Sequence, residues 1–74
     1  MEQRYTAVFE QIDDEWMAFA EELPGANTQG KTLDEARENL KEAIQLIVEA
    51  NRELAQQRTQ GHQVRREDLL VSVG

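Results

Sequence analysis

Alternating apolar positions at the start of the chain predict a β-hairpin. Residues 4–12 place an apolar side chain at every second position, which is the period of a strand. Asp13 and Asp14 are typical turn residues, and residues 15–22 predict the returning strand. The first twenty-two residues are therefore expected to form two antiparallel strands.

The returning strand is apolar on both of its faces. By alternation, one face carries Trp16 and two alanines, whereas the other carries Met17 and Phe19. The Leu-Pro-Gly sequence at residues 23–25 ends the pairing, because proline cannot donate to the ladder and glycine permits a turn. Residues 26–29 then leave room for at most a short third strand.

A long amphipathic helix is predicted next. Thr32 and Glu35 have the spacing of a capping box, so the helix is expected to begin at Leu33. Its apolar side chains fall on one stripe about 140° wide, the width of a helix that lies on a sheet. Leu46 lies outside the stripe and is expected to be exposed, and Gly61 is a typical residue just past a helix end. The stripe consists of Leu33, Ala36, Leu40, Ala43, Ile44, Ile47, Val48 and Leu54.

The last part of the chain predicts a fourth strand, which follows the helix and needs another strand or chain to cover it. Residues 59–67 form a polar loop, and residues 68–73 predict a final strand that is apolar on both faces. Such a strand is an aggregation hazard unless it is paired or covered, and 74 residues without cysteine make a small core. We therefore expect a homo-oligomer, most simply a twofold dimer. The residues expected to carry self-association are Leu69, Leu70, Val71 and Val73.

These elements together predict an α+β fold in two layers. The expected order is β-β-β-α-β, with one long helix packed on one face of an antiparallel sheet, in a single domain over residues 1–74.

Charge and composition narrow the classes of partner. Fifteen acidic against eight basic residues give a formal charge of -7, which opposes binding to a phosphate backbone, so no direct nucleic-acid binding is expected. The chain has no cysteine, no signal-like apolar stretch at its start and no run long enough to span a membrane. We expect a cytoplasmic protein.

Acidic residues concentrate around the predicted hairpin. Residues 10–22 hold six acids and no base, a pattern that would attract a basic protein and speed its encounter. Trp16 is the expected aromatic anchor of such an interface. The alternative interpretation is a solvated acidic rim that only keeps the protein in solution. The six acids are Glu10, Asp13, Asp14, Glu15, Glu21 and Glu22.

The same acids do not have the pattern of a catalytic site. A two-metal nuclease needs several carboxylates that converge on one pocket, whereas Asp13 and Asp14 are consecutive turn residues and the glutamates fall near strand ends. His62 is the only histidine and stands in a polar loop without a nucleophile that we can assign to it. We expect no enzyme activity, no metal and no cofactor.

One nucleotide-binding motif matches formally. Gly25, Gly30, Lys31 and Thr32 have the spacing of a phosphate-binding loop. That loop requires a preceding buried strand in a parallel α/β unit, for which this chain has no room. Thr32 is better explained as a helix cap, so we do not expect ATP or GTP binding.

Several short motifs across residues 4–50 resemble the short HicB-like antitoxins. The combination of a Leu-Pro-Gly turn with a following Gly-x-Thr-x-x-Glu-Ala segment is the most specific part of this resemblance. The motifs are Tyr5-x-Ala7-Val8-Phe9-Glu10, Asp14-x-Trp16, Leu23-Pro24-Gly25, Thr28-x-Gly30-x-Thr32-Leu33-x-Glu35-Ala36 and Asn39-Leu40-x-Glu42-Ala43-Ile44.

The resemblance implies a truncated ribonuclease H-like fold and the role of an antitoxin. Its partner would be a small basic, mRNA-cleaving toxin of the HicA type. Many HicB proteins also carry a C-terminal DNA-binding domain, which this resemblance does not include. The alternative function is a solitary, self-associating HicB-like module.

Overall fold

The computed structural model describes residues 3–73, so residues 1, 2 and 74 of the predicted domain lie outside the described part. Three antiparallel strands in the order β1-β2-β3 precede one long helix. This confirms the predicted α+β fold with a helix on an antiparallel sheet. The elements are β1 Ala7–Ile12, β2 Glu15–Ala20, β3 Asn27–Gly30 and α1 Leu33–Arg58.

The register of the strands separates two faces of the sheet. Phe9 of β1 pairs with Ala18 of β2, and both lie on the face that packs against α1. Ala18 forms the buried core with Ala36 and Leu40 of the helix. Met17 and the other alternate residues lie on the opposite face, which we call the open face. The helix therefore covers only one side of the sheet.

The helix approaches the sheet very closely at β3. A Cβ atom on Gly30 would lie 2.6 Å from the backbone nitrogen of Ala36, a distance that a real side chain does not reach. Ala18 and Ala36 are 1% and 0% exposed and add little bulk to the same contact. Small residues in three elements thus permit the two layers to touch.

Local hydrogen bonds determine where α1 begins. The Thr32 hydroxyl accepts from the backbone N–H of Glu35 at 3.1 Å, so the predicted start at Leu33 is confirmed. The Glu35 carboxylate accepts from the N–H of Lys31 at 3.4 Å, one residue earlier than a standard capping box places this bond. At the other end, Gly61 follows the helix with a φ of 82°.

The apolar stripe of α1 lies on the sheet for most of its length. Its members from Leu33 to Val48 are buried or half-buried, and Leu46 is 66% exposed as expected. Leu54 differs from the expectation, since it is 56% exposed. All of residues 49–58 are exposed, because this part of the helix extends past the end of the sheet.

The structure corrects the prediction of a final strand. Residues 68–73 have no regular secondary structure, and the whole C-terminal tail, which we define as residues 60–73, is exposed. A strand needs a neighbour for its backbone groups, and within the described residues nothing pairs with this segment. The protruding end of α1 also leads the tail away from its own sheet.

The close contact at Gly30 generates a stability prediction. Gly30→Ala should destabilise the fold by about 1–3 kcal/mol, because the new methyl group meets helix backbone that cannot rotate away. Denaturation followed by circular dichroism measures the change. Gly61→Asn is the control, since nothing lies within 4 Å of Gly61 and asparagine tolerates a positive φ. Equal stability of Gly30→Ala and the original chain would contradict the assigned contact.

Candidate functional site

The tip of the β1–β2 hairpin presents acidic side chains to solvent. Asp13 and Asp14 form the two-residue turn between the paired residues Ile12 and Glu15. Asp13 has a φ of 57°, which aspartate tolerates better than most residues because its short polar side chain bonds locally. The turn thus places both aspartates beside Glu15.

The other end of the hairpin holds a second acidic pair with a different environment. Glu21 and Glu22 follow β2, about 20 Å from the tip along a strand of this length. The Glu22 carboxylate accepts from the backbone N–H of Thr6 at 2.7 Å and from its hydroxyl at 2.6 Å. The N–H of Glu21 donates to the carbonyl of Thr6 at 2.9 Å. This pair closes the base of the hairpin.

The two bonds from Thr6 change the acidity of Glu22. The Thr6 hydroxyl, followed by the Thr6 backbone N–H, holds the pKa of Glu22 below its usual value, because both donors favour the ionised carboxylate. Glu22 therefore has a structural role in addition to its charge.

The structure distributes the residues of the predicted interface over three places. Glu10 lies on the open face, opposite Met17. The aspartates and Glu15 lie at the tip, and Glu21 and Glu22 at the base. Trp16 lies on the helix-packed face, half-buried against the core of Ala18, Ala36 and Leu40. Glu10 thus adjoins the acids of the tip, whereas Trp16 lies on the other face and the last acidic pair lies at the far end of the hairpin.

The open face contains apolar residues that sequence reasoning did not combine into a site. Ile12 and Phe19 are 46% and 40% exposed, and Val8 and Met17 are half-buried. Val8 pairs directly with Phe19, and none of the residues in the three strands is basic. The alternation of side chains along β2 already placed Met17 and Phe19 on the face opposite Trp16. The pairing of β1 with β2 is needed to place Val8 and Ile12 on that same face. We call Val8, Glu10, Ile12, Glu15, Met17 and Phe19 the open-face patch.

The described residues do not form a metal site or a phosphate-binding loop. Among residues 3–73, no three histidine or acidic side chains come together in a way that would hold a metal ion. His62 lies on the exposed turn after α1. The residues between Gly25 and Gly30 include strand β3, and Thr32 caps the helix, so the formal nucleotide-binding motif does not form a phosphate-binding loop.

The residues expected to carry self-association also lie at the surface. All four are strongly exposed in the tail, and Val64 is 43% exposed; the four are Leu69, Leu70, Val71 and Val73. Such a set of uncovered apolar side chains is typical of a surface that another molecule covers.

Comparison with known proteins identifies the family. The UPF0150 protein ssl0738 of Synechocystis sp. is 50% identical to this chain over 50 residues, which are 66% of this chain and 69% of that protein. The chain belongs to the UPF0150 family. No family model matches it, and no solved structure matches it.

A helix that crosses a membrane needs about 20 predominantly apolar residues. In the part of the chain that the structure describes, no helix is at once long enough and apolar enough to cross a membrane.

The contact between Glu22 and Thr6 generates a titration prediction. In an NMR titration, the Glu22 carboxyl carbon should show a midpoint below 4.5, and Thr6→Val should move this midpoint towards 4.5. Because the pKa of Glu22 is lowered in the folded state, the contact with Thr6 stabilises the fold at pH values above the ordinary glutamate pKa. This stabilisation is lost as the pH falls through the pKa that Glu22 has in the folded state.

Thr28→Val is the control for this titration. It removes a hydroxyl from β3 that makes no bond to Glu22 and should leave the midpoint unchanged. An identical midpoint in the original chain and in Thr6→Val would show that Thr6 does not control this carboxyl.

Proposed function

We propose that this chain is a HicB-like antitoxin, a non-catalytic module that binds and neutralises a small basic ribonuclease of the HicA type. Its membership of the UPF0150 family, which is HicB-like, supports this proposal, together with the motifs across residues 4–50. The proposal assigns the chain to the cytoplasm, where a messenger-cleaving toxin meets its RNA.

The open-face patch is the observation that carries the proposal. It combines exposed apolar side chains with Glu10 and Glu15, lies next to the acidic tip, and has no helix over it. Apolar burial supplies affinity in protein interfaces, whereas charge complementarity raises the association rate and selects partners. A basic protein with an apolar centre is the partner that fits both properties.

Inhibition would follow from occlusion. A toxin bound on the open face would have its basic surface covered by carboxylates, and RNA phosphates would have to displace them. On this mechanism the chain needs no reacting group and no contact with RNA. Phe19 and Met17 replace Trp16 as the apolar anchors of the interface, because Trp16 lies on the opposite face of the sheet.

A solitary, self-associating module is the second candidate function. The exposed apolar side chains of the tail favour it, since they require a covering partner whether or not a toxin exists. Stoichiometric inhibition of RNA cleavage by a purified HicA-type ribonuclease from the same genome separates the candidates. If no inhibition and no complex are found, the antitoxin role is wrong and the second candidate remains.

Charge reversal on the proposed interface should slow toxin binding. Glu10→Lys combined with Asp14→Lys is expected to lower the association rate at least about tenfold at low salt, because steering of a basic partner is lost. The folded structure should be unaffected, since both side chains are exposed. Stopped-flow or surface-plasmon-resonance kinetics at several salt concentrations measure the effect.

The matched control changes the net charge by the same amount at positions outside the proposed interface. Glu42→Lys combined with Glu53→Lys alters two exposed residues of α1 that are remote from the open face. It should reduce the association rate much less. Equal rates for both double variants would show that the open face is not the interface.

We also expect the chain alone to lack catalytic activity. With Mg²⁺ or Mn²⁺ present, incubation with RNA should give no cleavage above that of a buffer blank. Metal-dependent cleavage that disappears in Asp14→Asn would contradict this expectation. Nucleotide binding at micromolar strength that is lost in Lys31→Ala would restore the phosphate-loop interpretation.

A further inference from the structure

Strand β1 has a free edge whose backbone groups point outward. The bond from the Glu21 N–H to the Thr6 carbonyl makes these two residues a hydrogen-bonded pair, and such pairs alternate along an antiparallel ladder. The even-numbered residues of β1 therefore bond to β2. Ala7, Phe9 and Gln11 direct their N–H and C=O groups to the free edge, where the described residues provide no partner.

The opposite edge of the sheet differs from this one. The side-chain amide of Asn39 on α1 donates to the carbonyl of Gln29 at 3.0 Å and so satisfies part of the β3 edge. Strand β3 is also short and polar. Strand β1 contains neither proline nor lysine, which are residues that protect exposed edges. Of the two edges, β1 is the one suited to accept another strand.

A groove with a partly apolar lining and a basic rim runs beside the β1 edge. It lies between the start of β1 and the flank of α1, and Tyr5, Ala7, Ile44 and Val48 supply its apolar lining. Three of the chain's eight basic residues line the same groove, with Glu49 as its acidic member. These basic residues are Arg37, Lys41 and Arg52.

Two of these cations are already held in place. Arg37 lies 5.5 Å from the centre of the Phe9 ring and bonds to Asp34 at 2.6 Å. Lys41 bonds to Glu38 at 3.3 Å. All four charged partners are at the surface, so these exposed pairs are weak and leave the cations available to further carboxylates.

The last part of the tail, residues 67–73, has the complementary pattern, and Arg65 and Arg66 precede it. Glu67 and Asp68 come first and Leu69 to Val73 follow, so acidic groups precede an apolar stretch of strand-forming residues. All of these side chains are exposed. An added strand would pair with the β1 backbone, insert alternate side chains into the groove, and bring its acids near the basic rim.

We propose that residues 67–73 of a second copy of this chain pair with the free edge of β1 and fill this groove. The described tail does not contact its own groove, and the protruding end of α1 carries the tail's start about 15 Å beyond the sheet. Reciprocal exchange of two tails closes a twofold dimer in which both β1 edges are paired. This inference does not depend on a toxin, because the groove and the open face lie on opposite sides of the sheet.

Light scattering over a range of protein concentrations tests the proposal. The original chain should be a dimer, and deletion of residues 68–74 should give a monomer. Ala7→Pro should raise the dimer dissociation constant at least about tenfold, because it removes an outward N–H without touching the bonds to β2. Gln11→Pro removes another outward N–H further along β1. It replaces Ala7→Pro in the test if the circular dichroism signal shows that Ala7→Pro does not fold.

Asn27→Pro is the matched control on the β3 edge. By the same alternation Asn27 directs its N–H away from β2, so the substitution should leave the dimer intact. A monomeric original chain, including one whose tail returns to its own sheet, would overturn the proposal. A dimer that survives tail deletion, or one that both β1 proline variants leave unweakened, would overturn it as well.

Discussion

The close contact between α1 and the sheet determines the layout of this protein. Gly30, Ala18 and Ala36 let the helix rest almost directly on β3 and β2, and no large side chain is fully buried among the described residues. A helix seated there cannot also cover β1, so Phe9 and Ile44 remain half-buried at the flank. The open groove beside β1 is therefore a consequence of the same small residues that hold the two layers together. A core this small also gives limited hydrophobic stabilisation, which makes a partner chain physically reasonable.

Local signals predicted most of the fold. The capping pattern of Thr32 and Glu35 located the start of α1, because its hydrogen bonds form between near neighbours. Alternation and the Asp-Asp turn identified the hairpin for the same reason. The final strand was predicted from a short run of apolar, strand-forming residues. Strand formation also needs a neighbour, and the register of a distant pairing is not encoded in the segment itself. Leu54 similarly has the right helical angle but lies beyond the sheet that would bury it.

The acidic chemistry of the candidate site could be predicted from the sequence, whereas its geometry could not. Asp14 and Glu22 are close in the sequence, but strand β2 between them is extended and places them at opposite ends of the hairpin. Glu22 is engaged by Thr6, a contact between residues on opposite strands that only the register reveals. The side of the sheet on which Trp16 lies also follows from the position of the helix. The pairing of the strands thus distributes the acids of one sequence segment over the tip, the base and the open face of the hairpin.

The strand order has a consequence for how quickly the chain folds. Each element pairs with its sequence neighbour: β1 meets β2 across a two-residue turn, and α1 follows β3 almost at once. Contacts between sequence neighbours form faster than pairings between distant segments, because less loop-closure entropy opposes them. The tail takes no part in these contacts and does not delay them. A newly synthesised chain would therefore present its acidic tip and its open face as soon as these neighbouring elements have paired.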